Sequence, residues 1–197
     1  RFAIQLNKKW NLISIPYVLF DNSTDDIFAD VADEVISVWS YDAFAKRWRI
    51  YTPDNVSNDD LTSLEAGVGY WVLVRNATTL YIEGSLFSPA VTPPSHPVVL
   101  GWNLLGYYGN ENENGTAMYN YTGPVGNGKL VVCSLWSLGD STLDKGYSSV
   151  FTYWEPLNPP DPFVLLTSFD RMDAGAGYWV FATENSTYAP TTICPYA

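Results

Sequence analysis

The feature that most constrains this chain is an internal duplication. Trp10-Asn11-Leu12 opens a run that closes on Gly67-Val68-Gly69-Tyr70-Trp71-Val72, and Trp102-Asn103-Leu104 opens another that closes on Gly175-Ala176-Gly177-Tyr178-Trp179-Val180. Between those ends, Ser37-Val38-Trp39-Ser40-Tyr41 is answered by Ser149-Val150-Phe151-Thr152-Tyr153, and Leu64-Glu65-Ala66 by Met172-Asp173-Ala174. A chain repeated in order like this must solve the same folding problem twice. Each half has about 90 to 100 residues, enough for a core without a metal. The expected division is a first repeat at 1–87, a Pro-rich linker at 88–98 and a second repeat at 99–197. Pro89, Pro93, Pro94 and Pro97 give the linker stiff extended geometry.

Within each repeat the apolar pattern is that of strands. Phe2, Ile4 and Leu6 alternate with Ala3 and Gln5, as a half-buried strand requires. Trp48 and Ile50 alternate with Arg47 and Arg49, so that strand has one wet face. Tyr70 to Val74 is apolar on both faces and reads as a central strand, with Leu80 to Glu83 returning antiparallel to it. Ser23-Thr24-Asp25-Asp26 has the cap and acidic first turn of a helix, and Ile27, Val31 and Val35 recur at four-residue steps. A short helix over about 25–34 is expected, with a counterpart over 130–138. The fold class is therefore mainly β: two tandem β-rich, sandwich- or barrel-like domains, each with a short helix. The second carries an inserted loop at about 106–129.

Charge and cysteine narrow the setting. With 21 acidic and 10 basic residues the chain carries −11, which repels phosphate backbones and disfavours nucleic acid as a partner. No run approaches the roughly 20 apolar residues of a membrane span, so no membrane insertion of this segment is expected. Cys133 and Cys194 are the only two cysteines, and a disulfide between them suits an oxidising compartment. Sequons at Asn22, Asn55, Asn76, Asn114, Asn120 and Asn185 point to N-linked glycans and to an extracellular or cell-surface location. Asn76 and Asn185 follow the two Tyr-Trp-Val strands at equivalent places.

Candidate chemistry is sparse. Gly67-Val68-Gly69 leads into a strand, whereas a phosphate cradle needs a helix N-terminus beyond its glycines. A close backbone approach explains those glycines better. His96, the sole histidine, lies among linker prolines, where no core would fix it in a triad. Two cysteines and one histidine fall short of a structural zinc site. Asp54, Asn58, Asp59 and Asp60 supply hard oxygens in one loop and are the candidate calcium ligands, although they match no EF-hand. Trp and Tyr faces also stack on sugars. Trp10, Trp71, Trp102 and Trp179 belong to the duplicated pattern and are expected in the cores, which leaves Trp48, Trp136 and Trp154 freer.

Trp10-Asn11-Leu12-Ile13-Ser14-Ile15-Pro16, the Val38-Trp39-Ser40-Tyr41 strand and Leu64-Glu65-Ala66-Gly67-Val68-Gly69-Tyr70-Trp71-Val72 together resemble the tandem "GWNLI…GYWV" modules of archaeal cell-surface and S-layer-like proteins. The second half resembles a variant of that module through Gly106-Tyr107-Tyr108-Gly109, Gly126-Asn127-Gly128-Lys129 and Thr152-Tyr153-Trp154-Glu155. Lys8-Lys9 stands before Trp10 where the pattern has Gly. The resemblance implies a structural, non-enzymatic subunit of an extracellular wall, sheath or filament, whose partners are copies of itself or other surface proteins. Phe2, Ile4 and Leu6 are the candidate assembly strand, which would add to the sheet edge of a neighbouring subunit. A carbohydrate-binding or adhesion module is the alternative, and a secreted glycoside-active enzyme the third reading.

Overall fold

The computed structural model describes residues 1–54, 59–86, 94–107, 120–122, 128–154, 162–189 and 194–196. The strands of the first half are β1 (Phe2–Leu6), β2 (Lys9–Ser14), β3 (Val18–Leu19), β4 (Val35–Asp42), β5 (Arg47–Tyr51), β6 (Gly69–Val74), β7 (Thr78–Ile82) and β8 (Gly84–Ser85). Those of the second are β9 (His96–Val98), β10 (Gly101–Gly106), β11 (Asn120–Tyr121), β12 (Lys129–Leu130), β13 (Tyr147–Tyr153), β14 (Phe163–Leu166), β15 (Arg171–Met172), β16 (Gly177–Ala182) and β17 (Ser186–Tyr188). The helices are α1 (Thr24–Phe28) and α2 (Val131–Ser134). The chain is mainly β, with several separate sheets and only short helices.

Each half is built on a four-stranded antiparallel sheet, ordered β2-β6-β4-β5 in the first and β10-β16-β13-β14 in the second. The registers correspond. Leu12 stands opposite Trp71 as Leu104 stands opposite Trp179. Both β4 and β13 slip register once, between Val35 and Ser37 and between Tyr147 and Ser149. The slip lets each strand keep its apolar side chains on the core after its first residues.

The strand after Tyr-Trp-Val does not fold back on it as expected. β7 pairs with β1 in a separate sheet, and β17 pairs likewise with β9. In each half the chain leaves the large sheet at a corner, which the asparagine of Trp-Asn-Leu braces. Asn11 Oδ1 accepts the Asn7 N–H at 2.8 Å, and its Nδ2 donates to the Asn7 carbonyl at 2.8 Å. Asn103 does the same with Val99, at 3.1 and 2.8 Å. A buried amide satisfied on both sides fixes a corner at no unpaired polar cost. The corner also needs one left-handed residue: Gly101 takes it at φ 105°, and Lys9 takes it at φ 80° in the other copy.

The two halves share one core rather than standing apart on a linker. Ser14 N donates to the Gly175 carbonyl at 2.9 Å, and Gly106 N donates to the Gly67 carbonyl at 2.8 Å. Ile13 bridges Ala176, and Leu105 bridges Val68. Ser14 corresponds to Gly106, Ile13 to Leu105 and Gly67 to Gly175, so every contact has its reciprocal, and the halves are related by an approximate two-fold axis. The close approach explains the second glycine of each Gly-x-Gly. A Cβ on Gly69 would meet Leu104 at 2.9 Å, and one on Gly177 would meet the Ile13 carbonyl at 2.6 Å.

Three expectations need correction. First, the candidate assembly strand is not free: β1 is paired on one side with β7 and on the other with β11, and Phe2, Ile4 and Leu6 are 0, 0 and 1 % exposed. Alternation marks a strand with a buried face but does not say whether its edges are spoken for. Second, the last residues of the expected linker, His96–Val98, form β9; residues 88–93 of that segment lie outside the described residues. Third, the expected helix over 25–34 starts at Thr24, capped by Ser23 Oγ, and tightens to a single 3-10 turn at Ala29–Val31. Its counterpart shortens to α2, which carries Cys133.

Candidate functional site

Alternation along β6 and β16 sends neighbouring aromatics to opposite sides. Tyr70 and Tyr178 point into the core and are each 2 % exposed. Each hydroxyl accepts a backbone N–H at 2.7 Å, from Glu65 and from Asp173. Burial holds both phenols well above their ordinary pKa, so they are locked as neutral anchors. Trp71 and Trp179 therefore face the other way. Sequence reasoning placed these two in the cores with Trp10 and Trp102. All four instead lie half-buried or exposed on the far face of the sheets.

Cross-strand pairing gathers the rest of that face. Trp39 stands opposite Ile50 and Tyr41 opposite Trp48, while Phe151 stands opposite Leu165 and Tyr153 opposite Phe163. Around the approximate axis the rings of the two repeats interlock. Trp71 meets Tyr153 at 4.8 Å and Phe163 at 6.1 Å, and reciprocally Trp179 meets Tyr41 at 5.5 Å and Trp48 at 5.8 Å. Leu12, Leu104 and Tyr153 are buried beneath these rings as a second, smaller core.

Two adjacent open grooves result. One, of about 580 Å³, is lined by Trp10, Trp39, Trp48, Trp71 and Tyr153; the other, of about 460 Å³, by Tyr41, Trp102 and Phe151. Phe163 and Trp179 border both. Tyr41, Trp102 and Phe151 correspond by the duplication to Tyr153, Trp10 and Trp39, and Phe163 and Trp179 to Trp48 and Trp71, so the second groove repeats five of the seven residues that line the first. Among the described residues no carboxylate, amine or guanidinium lines either groove. Trp48, Trp102 and Phe163 remain 43, 41 and 45 % exposed.

The rings are set on edge. Trp10 meets Trp71 at 89°, Trp102 meets Trp179 at 90° and Trp48 meets Trp179 at 79°. Edge-to-face packing is the favourable arrangement of aromatic quadrupoles, and it yields ridges and slots rather than a level platform. Such a surface can exclude water from an apolar partner. Of the tryptophans expected to be free, only Trp48 belongs to it. Trp154 packs against the main core and Tyr121, and Trp136 packs against Tyr196. The signal that could have found the face is the alternation Tyr-in, Trp-out, read together with Trp39 and Tyr41 on one side of β4.

The other candidate residues fall elsewhere. Cys133 and Cys194 form a disulfide that ties α2 to the C-terminal segment. Asn22, Asn76 and Asn185 are exposed; Asn76 Nδ2 donates to Glu34 at 3.0 Å, and Asn185 Oδ1 accepts the Leu100 N–H at 2.8 Å. Asn55 and Asn114 lie outside the described residues, and Asn120 is placed only by its backbone, in β11.

In the candidate calcium loop, Asn58 is outside the described residues and Asp54 is exposed. Asp59 accepts from Thr52 N and Oγ1 at 2.6 and 2.9 Å. Asp60 accepts from Ile50 N at 3.0 Å and pairs with Arg47 at 2.6 Å. These two acids fasten the loop to β5. Among the described residues no cluster of three His, Cys, Asp or Glu could hold a metal. His96 is held by the Ala66 carbonyl and lies 3.6 Å from Glu65.

Comparison with family models, with curated proteins and with solved structures gives no match.

Proposed function

We propose that this chain is a structural subunit of an extracellular surface, of the S-layer-like wall, sheath or filament kind, and that it acts by contact rather than by catalysis. The observation that carries this reading is the two-fold aromatic face, whose described lining is uncharged and several rings of which remain in water. An apolar patch of that size on a chain of net charge −11 is a place for another molecule to dock. The disulfide, the exposed sequons and the shared core of the halves fit a durable, glycosylated building block. Electron microscopy of the native material tests the reading, with ordered polymers expected. Discrete particles together with a hydrolytic activity abolished by one Asp→Asn or Glu→Gln change would replace it with the enzyme reading.

Carbohydrate binding is the second reading, favoured by the exposed rings of Trp48 and Trp102. The edge-on setting of the rings and the apolar lining count against it, because sugar rings need a flat stacking face and nearby hydrogen-bonding groups. Binding to a glycan array that disappears in Trp48→Ala would establish it.

A further inference from the structure

The aromatic face has a symmetry that limits what can cover it. Across the approximate axis the second groove repeats five of the seven residues that line the first. A partner that fills one groove with a given feature leaves the other empty unless it carries the same feature twice, related by its own two-fold. A second copy of this chain meets that condition by construction. We infer that the aromatic face is the interface of a homodimer in which two chains pack face to face. Four repeats then surround three mutually perpendicular axes, two of them approximate and internal to this arrangement. This arrangement has the dihedral symmetry that commonly follows from pairing two-fold dimers. The inference rests on the structural reading above and deepens it by naming the first contact of the assembly.

Two further observations favour a second copy. One is charge: two chains of −11 repel over most of their surfaces, and among the described residues lining the grooves none carries a charge at neutral pH to oppose its twin. A cationic partner would gain nothing there and would be drawn elsewhere. The other is extent. At about 200 Å² per aromatic side chain, the exposed fractions of Trp48, Trp102 and Phe163 alone leave roughly 250 Å² of ring in water. The half-buried rings of Trp10, Trp39, Phe151 and Phe181 beside them take the patch into the range of several hundred Å² that marks an interaction surface. That is less than the roughly 800 Å² per partner of a standard interface, so the dimer is reversible rather than obligate. The tilted and perpendicular rings supply the ridges and slots through which two such faces interdigitate.

The full chain is tested by sedimentation equilibrium over about 1 to 100 μM, a range that brackets a micromolar dissociation constant. A monomer–dimer equilibrium is expected, strengthened by added salt as the like charges are screened, with tryptophan emission moving to shorter wavelength on association. Trp48→Ala in one repeat and Phe163→Ala in the other should each weaken the dimer by about 30-fold or more, as loss of a buried aromatic anchor does. Both residues are exposed in the monomer, so an unchanged thermal midpoint at low concentration separates loss of pairing from loss of fold. A chain that stays monomeric throughout, or a dimer that neither substitution touches, overturns the inference. So does a monomer whose grooves take an apolar peptide or a glycan. Polymers in native material alongside any of these results leave the structural reading standing and remove only this interface, whereas the absence of both polymer and dimer removes the two together.

Discussion

The two repeats solve the same problem with different means, and the differences show which features the fold depends on. Both keep the sheet order, the register slip, the braced corner and the hydroxyl anchor of Tyr70 or Tyr178. The peripheral sheet differs. In the first half β1 and β7 pair over five positions and take β11 from the second half as a third strand. In the second half β9 and β17 pair over three. The first half secures its edge with long strands, and the second ties its helix with a disulfide. What the halves share is set by the axis between them. What they do not share still reaches that seam, since a Cβ on Gly175 would lie 2.7 Å from both Phe2 of β1 and Tyr121 of β11.

The largest effect expected from disturbing that comparison is at alkaline pH. Burial raises the phenols of Tyr70 and Tyr178, and it pushes Tyr51 and Tyr147 up to about 12. A raised folded pKa gives stability that is complete below the ordinary value near 10 and is lost as pH climbs through the folded value. Absorbance of phenolate should show the buried tyrosines ionising only as the fold collapses. If the repeats are one unit, Tyr70 and Tyr178 ionise in a single step that coincides with loss of the far-ultraviolet signal. Two steps would separate them.

Replacing Cys133 and Cys194 by Ser should cost about 4 kcal/mol by the loop-entropy relation for a closure of 61 residues. Urea unfolding measures it, and an unchanged midpoint would contradict the tethering role of the bridge. Ser14 and Gly106 face each other across the axis, where a Cβ on Gly106 would lie 2.1 Å from Ser14 Cβ. Gly106→Ser should therefore destabilise by about 3 kcal/mol through overpacking. Adding Ser14→Gly hands the single available space to the other repeat and should recover most of that loss. A double-mutant cycle without coupling would mean that the two positions are not mates.

The smallest effect concerns the corner. Lys9 holds a left-handed conformation that costs an L-residue about 1 to 2 kcal/mol, part of which glycine returns as unfolded-state entropy. Lys9→Gly should stabilise by about 0.5 to 1 kcal/mol in thermal unfolding. Gly101→Lys should lose a similar amount, since open space surrounds its Cβ position and only φ opposes it.

Much of the fold was legible in the chain. Paired Gly-x-Gly-Tyr-Trp-Val segments announce two equivalent units, alternation locates their strands, and two cysteines leave one possible intramolecular bridge. The Asn of Trp-Asn-Leu was visible as a repeated residue, but its work at the corner was not, because its partners are backbone groups of a turn that the side-chain pattern does not reveal. The candidate face was hidden for a related reason: a strand that is apolar on both sides announces that both faces are covered or sticky, not which neighbour covers which.

By itself, then, the sequence determined the local alphabet of this protein: strand, corner, cap, crosslink and their duplication, all of which follow from side-chain period and residue type over a few positions. Only the tertiary structure decided that β1 is enclosed, that the halves close on each other through Ser14, Gly67, Gly106 and Gly175, and that in each Tyr-Trp-Val the tyrosine goes inward while the tryptophan goes outward. Those choices depend on contacts between residues far apart in the chain, where the free energy belongs to the pair of surfaces and cannot be assigned to either one.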